Sequence, residues 1–219
     1  MRGRREVRIN GRLEAVVDAP DEAGGWAAVI SHPHPKLGGD LDNNVVVAVA
    51  QCLNRLGVTT VRFNTRGVGG SDGFSSWFGV DERQDALAAI AYAWTLPGVT
   101  KVLMAAYSFG AAVGASIVAD CPKPPSAIVL IAYPRGFWSW FLFRQHYNLF
   151  DRIGLPSGTP KLLILGEHDN FTSVSTIETM FKALSEPKTL RIIDGTDHFF
   201  FGEEHRVSKV LEEWLRPML

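Results

Sequence analysis

Short apolar blocks alternate along this chain with longer stretches in which apolar residues recur every third or fourth position. Val7 to Ile9 and Leu13 to Asp18 read as strands joined at Asn10-Gly11, a dipeptide favoured in tight hairpins because both residues tolerate positive φ. Trp26 to Ser31 is a continuous apolar run that stops at a proline-rich turn, which predicts a buried strand. Val45, Val49, Cys52, Leu53 and Leu56 then follow at helical spacing, with Asn44, Gln51, Asn54 and Arg55 on the opposite face. Gly57 closes that helix before a strand over Thr59 to Phe63. A helix is expected from Asp81 to Leu96, a strand from Lys101 to Ala106 and a small-residue helix from about Phe109 to Ala119. Further strands are expected at Ser126 to Tyr133, Lys161 to Gly166 and Thr189 to Asp194, with helices around Ser175 to Leu184 and through Val207 to Leu215.

Continuous apolar strands separated by helices imply an α/β fold: a mostly parallel sheet of about eight strands, covered by helices on both faces. Right-handed crossovers put the carboxyl ends of the parallel strands along one edge, where ligands bind in open sheets. No internal repeat and no composition break divides the chain, so residues 1–219 are expected to form one domain. The stretch 134–159, after the sixth strand, breaks the alternation and reads as a small insert.

Charge then removes several function classes. Twenty-two basic residues against twenty-three acidic ones leave a formal charge of −1, too little field for nucleic acid or an anionic membrane. No apolar run follows the basic N-terminus to make a signal peptide, and none is long enough to span a bilayer, so a soluble cytoplasmic protein is expected. Cys52 and Cys121 make neither a disulfide framework nor a zinc set and read as buried thiols. Seven of the 23 aromatic residues crowd into Phe137 to Phe150.

The chemistry gathers at the predicted strand ends. Lys101 to Gly110 reads strand, sharp turn, helix, with Ser108 at the turn and small residues Ala106 and Gly110 beside it. This resembles the nucleophile elbow of the α/β-hydrolase superfamily, G-x-S-x-G, with Ala106 in the first glycine's place. The extra methyl is expected to widen the elbow slightly. A serine nucleophile needs a base, and the base needs an anion. Asp169 follows the strand ending at Gly166, and His198 follows the next; the order Ser108, Asp169, His198 is that of the superfamily. Asp151 is the second choice of acid, while Asp194 belongs to a strand and Asp197 lies too near His198 in the chain. His168 and His205 read as exposed polar residues, and His146 falls in the insert.

His32-Pro33-His34-Pro35-Lys36-Leu37-Gly38-Gly39 follows the third strand, where the superfamily places its oxyanion loop. Phe109 would supply one amide to the oxyanion and His34 the other, because the prolines have none; Leu37 is the alternative. His32-x-His34 lacks a third metal ligand, so no metal and no other cofactor is expected. The loop Phe63 to Gly73 resembles the R-G-x-G-x-S segment that packs near the elbow in α/β-hydrolases, where its role is structural support.

His32 to Gly39, Arg62 to Gly69 and Asp197 to Phe200 together resemble a small subgroup related to dienelactone hydrolase and prolyl-oligopeptidase-type enzymes. The resemblance runs from about Ala28 to the C-terminus. It implies the α/β-hydrolase fold and a Ser108–Asp169–His198 triad, with a serine where dienelactone hydrolase uses cysteine. The reading is a serine esterase acting on a small-molecule carboxylic ester or thioester, as a monomer or homodimer. A silent interaction module, a small peptidase and an acyltransferase are the alternatives. The 134–159 insert would form an aromatic lid over the serine, with Trp138, Phe141, Tyr107 and Leu37 against the substrate, or its rings would pack on the sheet edge or at a dimer contact.

Overall fold

In the computed structural model, which describes residues 3–76, 79–135 and 155–219, Asn10 and Gly11 take φ of 50° and 70°. They reverse the chain between β1 (Gly3–Ile9) and β2 (Leu13–Ala19), which pair antiparallel. β2 joins β4 (Thr59–Phe63) in the same sense, and from β4 onward every pairing is parallel. The remaining strands are β3 (Trp26–Ser31), β5 (Lys101–Tyr107), β6 (Ala127–Ile131), β7 (Lys161–Gly166) and β8 (Lys188–Ile193). The eight-stranded order is β1-β2-β4-β3-β5-β6-β7-β8.

The five α-helices among the described residues are α1 (Asn44–Arg55), α2 (Glu82–Trp94), α3 (Phe109–Ile117), α4 (Val174–Ala183) and α5 (Glu204–Leu215). Strand alternation splits the core in two. Val29, Val61, Val102 and Met104 face α2, α3 and α4, while Ala28, Ile30, Leu103 and Ala105 face α1 and α5. Both faces of the central strands are thus buried, which explains their uninterrupted apolar sequence.

Most predicted elements are present, with shifted ends. α2 stops at Trp94 rather than Leu96, because Pro97 disfavours helical geometry in the residue before it. β5 extends to Tyr107, which pairs with Ile131. β8 lies one residue earlier than expected, so Asp194 sits in the turn with Gly195 (φ 67°) and is not a strand residue. Cys52 and Cys121 are buried free thiols; burial pushes the Cys121 thiol up to about 11. Residues 136–154, most of the 134–159 insert, lie outside the described residues, together with Trp138, Phe141, His146 and Asp151. Among the described residues no helix is long and apolar enough to cross a membrane.

Candidate active site

β5 delivers Ser108 at φ 54° and ψ −121°, a conformation most residues avoid and one that costs of order 1–3 kcal/mol. The surroundings hold it there. The Ser108 amide donates to the Ile131 carbonyl at 2.8 Å, and its carbonyl accepts from Ala111 at 2.8 Å as α3 begins. A Cβ on Gly110 would sit 2.6 Å from the His32 carbonyl oxygen and 2.9 Å from Ser31 Cβ, so only glycine lets α3 start this close to β3. Ala106 fills the first glycine's place without a clash. Its methyl faces Gly114, whose missing Cβ would lie 3.4 Å from it.

Ser108 Oγ lies 2.8 Å from His198 Nε2, and His198 Nδ1 lies 2.7 Å from Asp169 Oδ2. A carboxylate accepts, so Nδ1 carries the proton toward Asp169 and Nε2 is left to accept from the serine hydroxyl. The second carboxylate oxygen of Asp169 accepts from the amides of Phe171 (2.7 Å) and Thr172 (2.9 Å). The acid is therefore fixed by backbone donors on one oxygen and reserved for His198 on the other. The structure brings together three residues 61 and 29 positions apart in the chain. Asp197, an alternative acid, instead accepts from the amides of Phe199 and Phe200 and shapes the turn after His198.

The His198 ring lies 4.3 Å from that of Phe171 and 5.4 Å from that of Phe199, centroid to centroid. Tyr107 Oη donates to the His198 carbonyl at 2.9 Å. Burial first, then the carboxylates of Asp169 and Asp197, holds the Tyr107 phenol well above its ordinary value, so it remains a donor. Tyr107, expected against the substrate, lines the cavity and also ties down the backbone of His198.

On the opposite side, the His34 and Phe109 rings meet edge to face, 4.8 Å between centroids. Phe109 is the first residue of α3, at the positive end of the helix. The two expected oxyanion residues are thus neighbours. The Leu37 amide, the alternative donor, is committed to the His34 carbonyl at 2.9 Å. Both ring nitrogens of His32 are engaged within the protein. Its Nδ1 donates to the Pro33 carbonyl (2.7 Å) and its Nε2 accepts from the Thr65 amide (3.1 Å), clasping this loop to the one after β4. Burial lowers its pKa, so the ring is neutral. Among the described residues no group of three His, Cys, Asp or Glu is placed to hold a metal ion.

The loop after β4 is a scaffold. Arg66 forks onto Asp85 (2.8 and 3.0 Å), and Asn64 accepts from the Leu41 amide (2.8 Å) while donating to Glu14 (2.7 Å). Arg62 reaches the Leu41 carbonyl and Asp42 at 2.8 and 3.0 Å. These contacts fix the segment Leu41 to Asn44 at the mouth of a cavity of about 400 Å³ that opens over Ser108 and His198. Leu37, expected against the substrate, lines it, together with Asn44, Phe199 and Phe201, which the sequence did not single out. Phe199 and Phe201 carried a signal in their place beside His198. Asn44 carried none, since it reads as the polar face of α1.

An eight-stranded sheet with one antiparallel strand, a strained serine after β5, and an acid and a histidine after β7 and β8 define an α/β-hydrolase. No family profile matches the chain. The uncharacterized protein RP471 of Rickettsia prowazekii is 30% identical over 217 residues, covering 96% of this chain and 85% of that one. A serine hydrolase homologue from Coxiella burnetii superposes with a TM-score of 0.82 at 27% identity, covering 97% of both chains. XC6422 from Xanthomonas campestris, described as an α/β serine hydrolase without a lid, gives 0.83 at 28% identity, covering 99% of this chain and 95% of its own. The chain belongs to the α/β-hydrolase superfamily, in one family with RP471 of Rickettsia prowazekii.

Proposed function

We propose that the protein is a serine hydrolase that cleaves carboxylic esters or thioesters through an acyl-enzyme on Ser108. The observation that supports this most is the continuous chain from Ser108 to His198 to Asp169, with contacts of 2.8 and 2.7 Å. His198 Nε2 takes the hydroxyl proton as Ser108 Oγ bonds to the substrate carbonyl carbon. The carbonyl oxygen gains the electron pair and is met by the amides of Phe109 and His34. Asp169 stabilises the imidazolium. The oxyanion then collapses, the alcohol or thiol leaves with the proton from His198, and the acyl group remains on Ser108. Water repeats the sequence: His198 removes its proton, the new oxyanion forms, and the acid departs as Ser108 regains its hydrogen.

The test is covalent labelling with a fluorophosphonate, alongside hydrolysis of p-nitrophenyl acetate. Wild type is expected to label and turn over, and Ser108→Ala to lose the label and at least about 10³-fold in kcat. A wild-type protein that neither labels nor hydrolyses the ester defeats the reading. The aromatic insert 134–159 is proposed as an apolar cover for the acyl group. Trp138→Ala and Phe141→Ala should then flatten any preference for acyl length. A lidless arrangement, like that described for the Xanthomonas protein, leaves the preference untouched.

A further inference from the structure

The cavity over Ser108 is lined by carboxylates and by aromatic rings. Asp40 and Asp42 line it beside Leu37, and no lysine or arginine lines it among the described residues. The two carboxylates are not equivalent. Asp42 is paired at 3.0 Å with Arg62, which Asp18 shares at 3.6 Å, so its charge is partly answered from within the protein. Asp40 is exposed, accepts from the Asp42 amide at 2.9 Å, and forms no ion pair among the described residues. Its field extends inward, where it acts on the buried His32 ring.

The rings of Phe199 and Phe201, which line the same cavity, stack at 5.8 Å with 15° between their planes. Phe201 is 74% exposed, which is unusual for a large apolar side chain with core available nearby. A carboxylate with no ion pair among the described residues and aromatic rings, one of them exposed, in the same cavity are the two components that recognise an ammonium group. An anionic substrate meets repulsion from Asp40.

Building on the serine-hydrolase reading, we propose that this cavity selects esters carrying a cationic ammonium group over anionic esters, with Asp40 and Phe201 as the specificity-determining residues. The acyl carbon sits at Ser108, and the charged end of the ester extends toward the mouth between Asp40 and the stacked rings. Asp40 also lies just ahead of α1, where a carboxylate favours the positive end of the helix. That structural contribution affects stability, and it leaves discrimination among substrates unchanged.

The experiment uses three acetate esters of similar size: those of 3-(trimethylammonio)phenol, 3-tert-butylphenol and 3-hydroxybenzoate. The ratio of kcat/KM between the cationic and neutral esters is measured in wild type and in Asp40→Asn. Dividing one ratio by the other cancels the intrinsic reactivity of the leaving groups. Asparagine keeps the oxygen that accepts from the Asp42 amide and removes only the charge. The cation-to-neutral ratio is expected to fall about 3- to 10-fold in Asp40→Asn, and the anionic ester to gain relative to the neutral one. In wild type the same ratio should decline as salt is raised from about 0.05 to about 0.5 M. Phe201→Leu, at an exposed position, should lower the cationic ratio with less effect on the anionic one. Should Asp40→Asn fail to fold, the salt series and Phe201→Leu decide the matter. Ratios that are the same in wild type and both variants, and insensitive to salt, overturn the charge selection while the esterase reading stands. If no ester is cleaved, p-nitrophenyl acetate included, it is the serine-hydrolase reading itself that fails.

Discussion

Asp169 earns its proposed role through the division of labour between its oxygens. Oδ1 takes the amides of Phe171 and Thr172, and Oδ2 takes His198. Asparagine reproduces the first set of contacts and alters the second. Its amide nitrogen facing His198 would demand an acceptor, favouring the tautomer with the proton on Nε2, which cannot accept from Ser108. Asp169→Asn is therefore expected to fold normally and to lose about 10³- to 10⁴-fold in kcat, with a small change in KM. Steady-state kinetics with thermal melts check this; near-wild-type turnover would remove Asp169 from the mechanism. Sequence order and strand-end position already favoured this acid. The backbone donors that hold it come from a turn whose geometry the sequence reading did not describe.

At the level of elements, the site depends on how closely α3 can start to the end of β3. Gly110→Ala places a methyl 2.6 Å from the His32 carbonyl oxygen, where both partners are backbone-anchored. We expect a loss of about 1–3 kcal/mol and a drop in esterase rate, because the displaced loop carries His34. Gly114→Ala is the contrast. Its new methyl meets the Met104 sulfur at 3.1 Å, the far end of a flexible side chain, so a smaller loss is expected. Urea melts of both variants rank the two effects, and equal losses would mean that the α3–β3 approach is not the constraint. The elements themselves were readable, because buried parallel strands announce themselves as continuous apolar runs. Their ends were less so: Tyr107 belongs to β5 through its pairing with Ile131, a contact made across the sheet.

Across the whole molecule, His32 is the clasp that joins the loop after β3 to the loop after β4. Its neutral form is required, since Nε2 must accept from Thr65. With its pKa held below the ordinary 6.5 by burial, the unfolded chain takes up a proton at a higher pH than the folded one. The clasp thus contributes its full stability above about pH 6.5 and loses it as pH falls toward the folded-state value. His32→Gln should be less stable than wild type at pH 8, with a shallower decline between pH 7 and 5. Denaturation midpoints across that range test the point, and parallel curves for the two proteins would refute it. In sequence, His32 and His34 look alike as a possible metal pair. What separates them is a partner 33 residues away, which neither composition nor spacing discloses.

The sequence by itself determined the parallel-sheet class, the identity of most strands and helices, and the placing of Ser108, Asp169 and His198 just beyond three strand ends. These are local or periodic properties, written by burial and turn chemistry into neighbouring residues. Tertiary structure alone decided which atoms meet: the 2.8 and 2.7 Å contacts of the Ser–His–Asp chain, the fit of Ala106 against Gly114, the commitment of the Leu37 amide to His34, and the convergence of Asp40 and Phe201 on one cavity. The physical reason is range. Patterning acts over a few residues along the chain, whereas a site at a sheet edge is assembled by crossovers that bring together residues tens of positions apart.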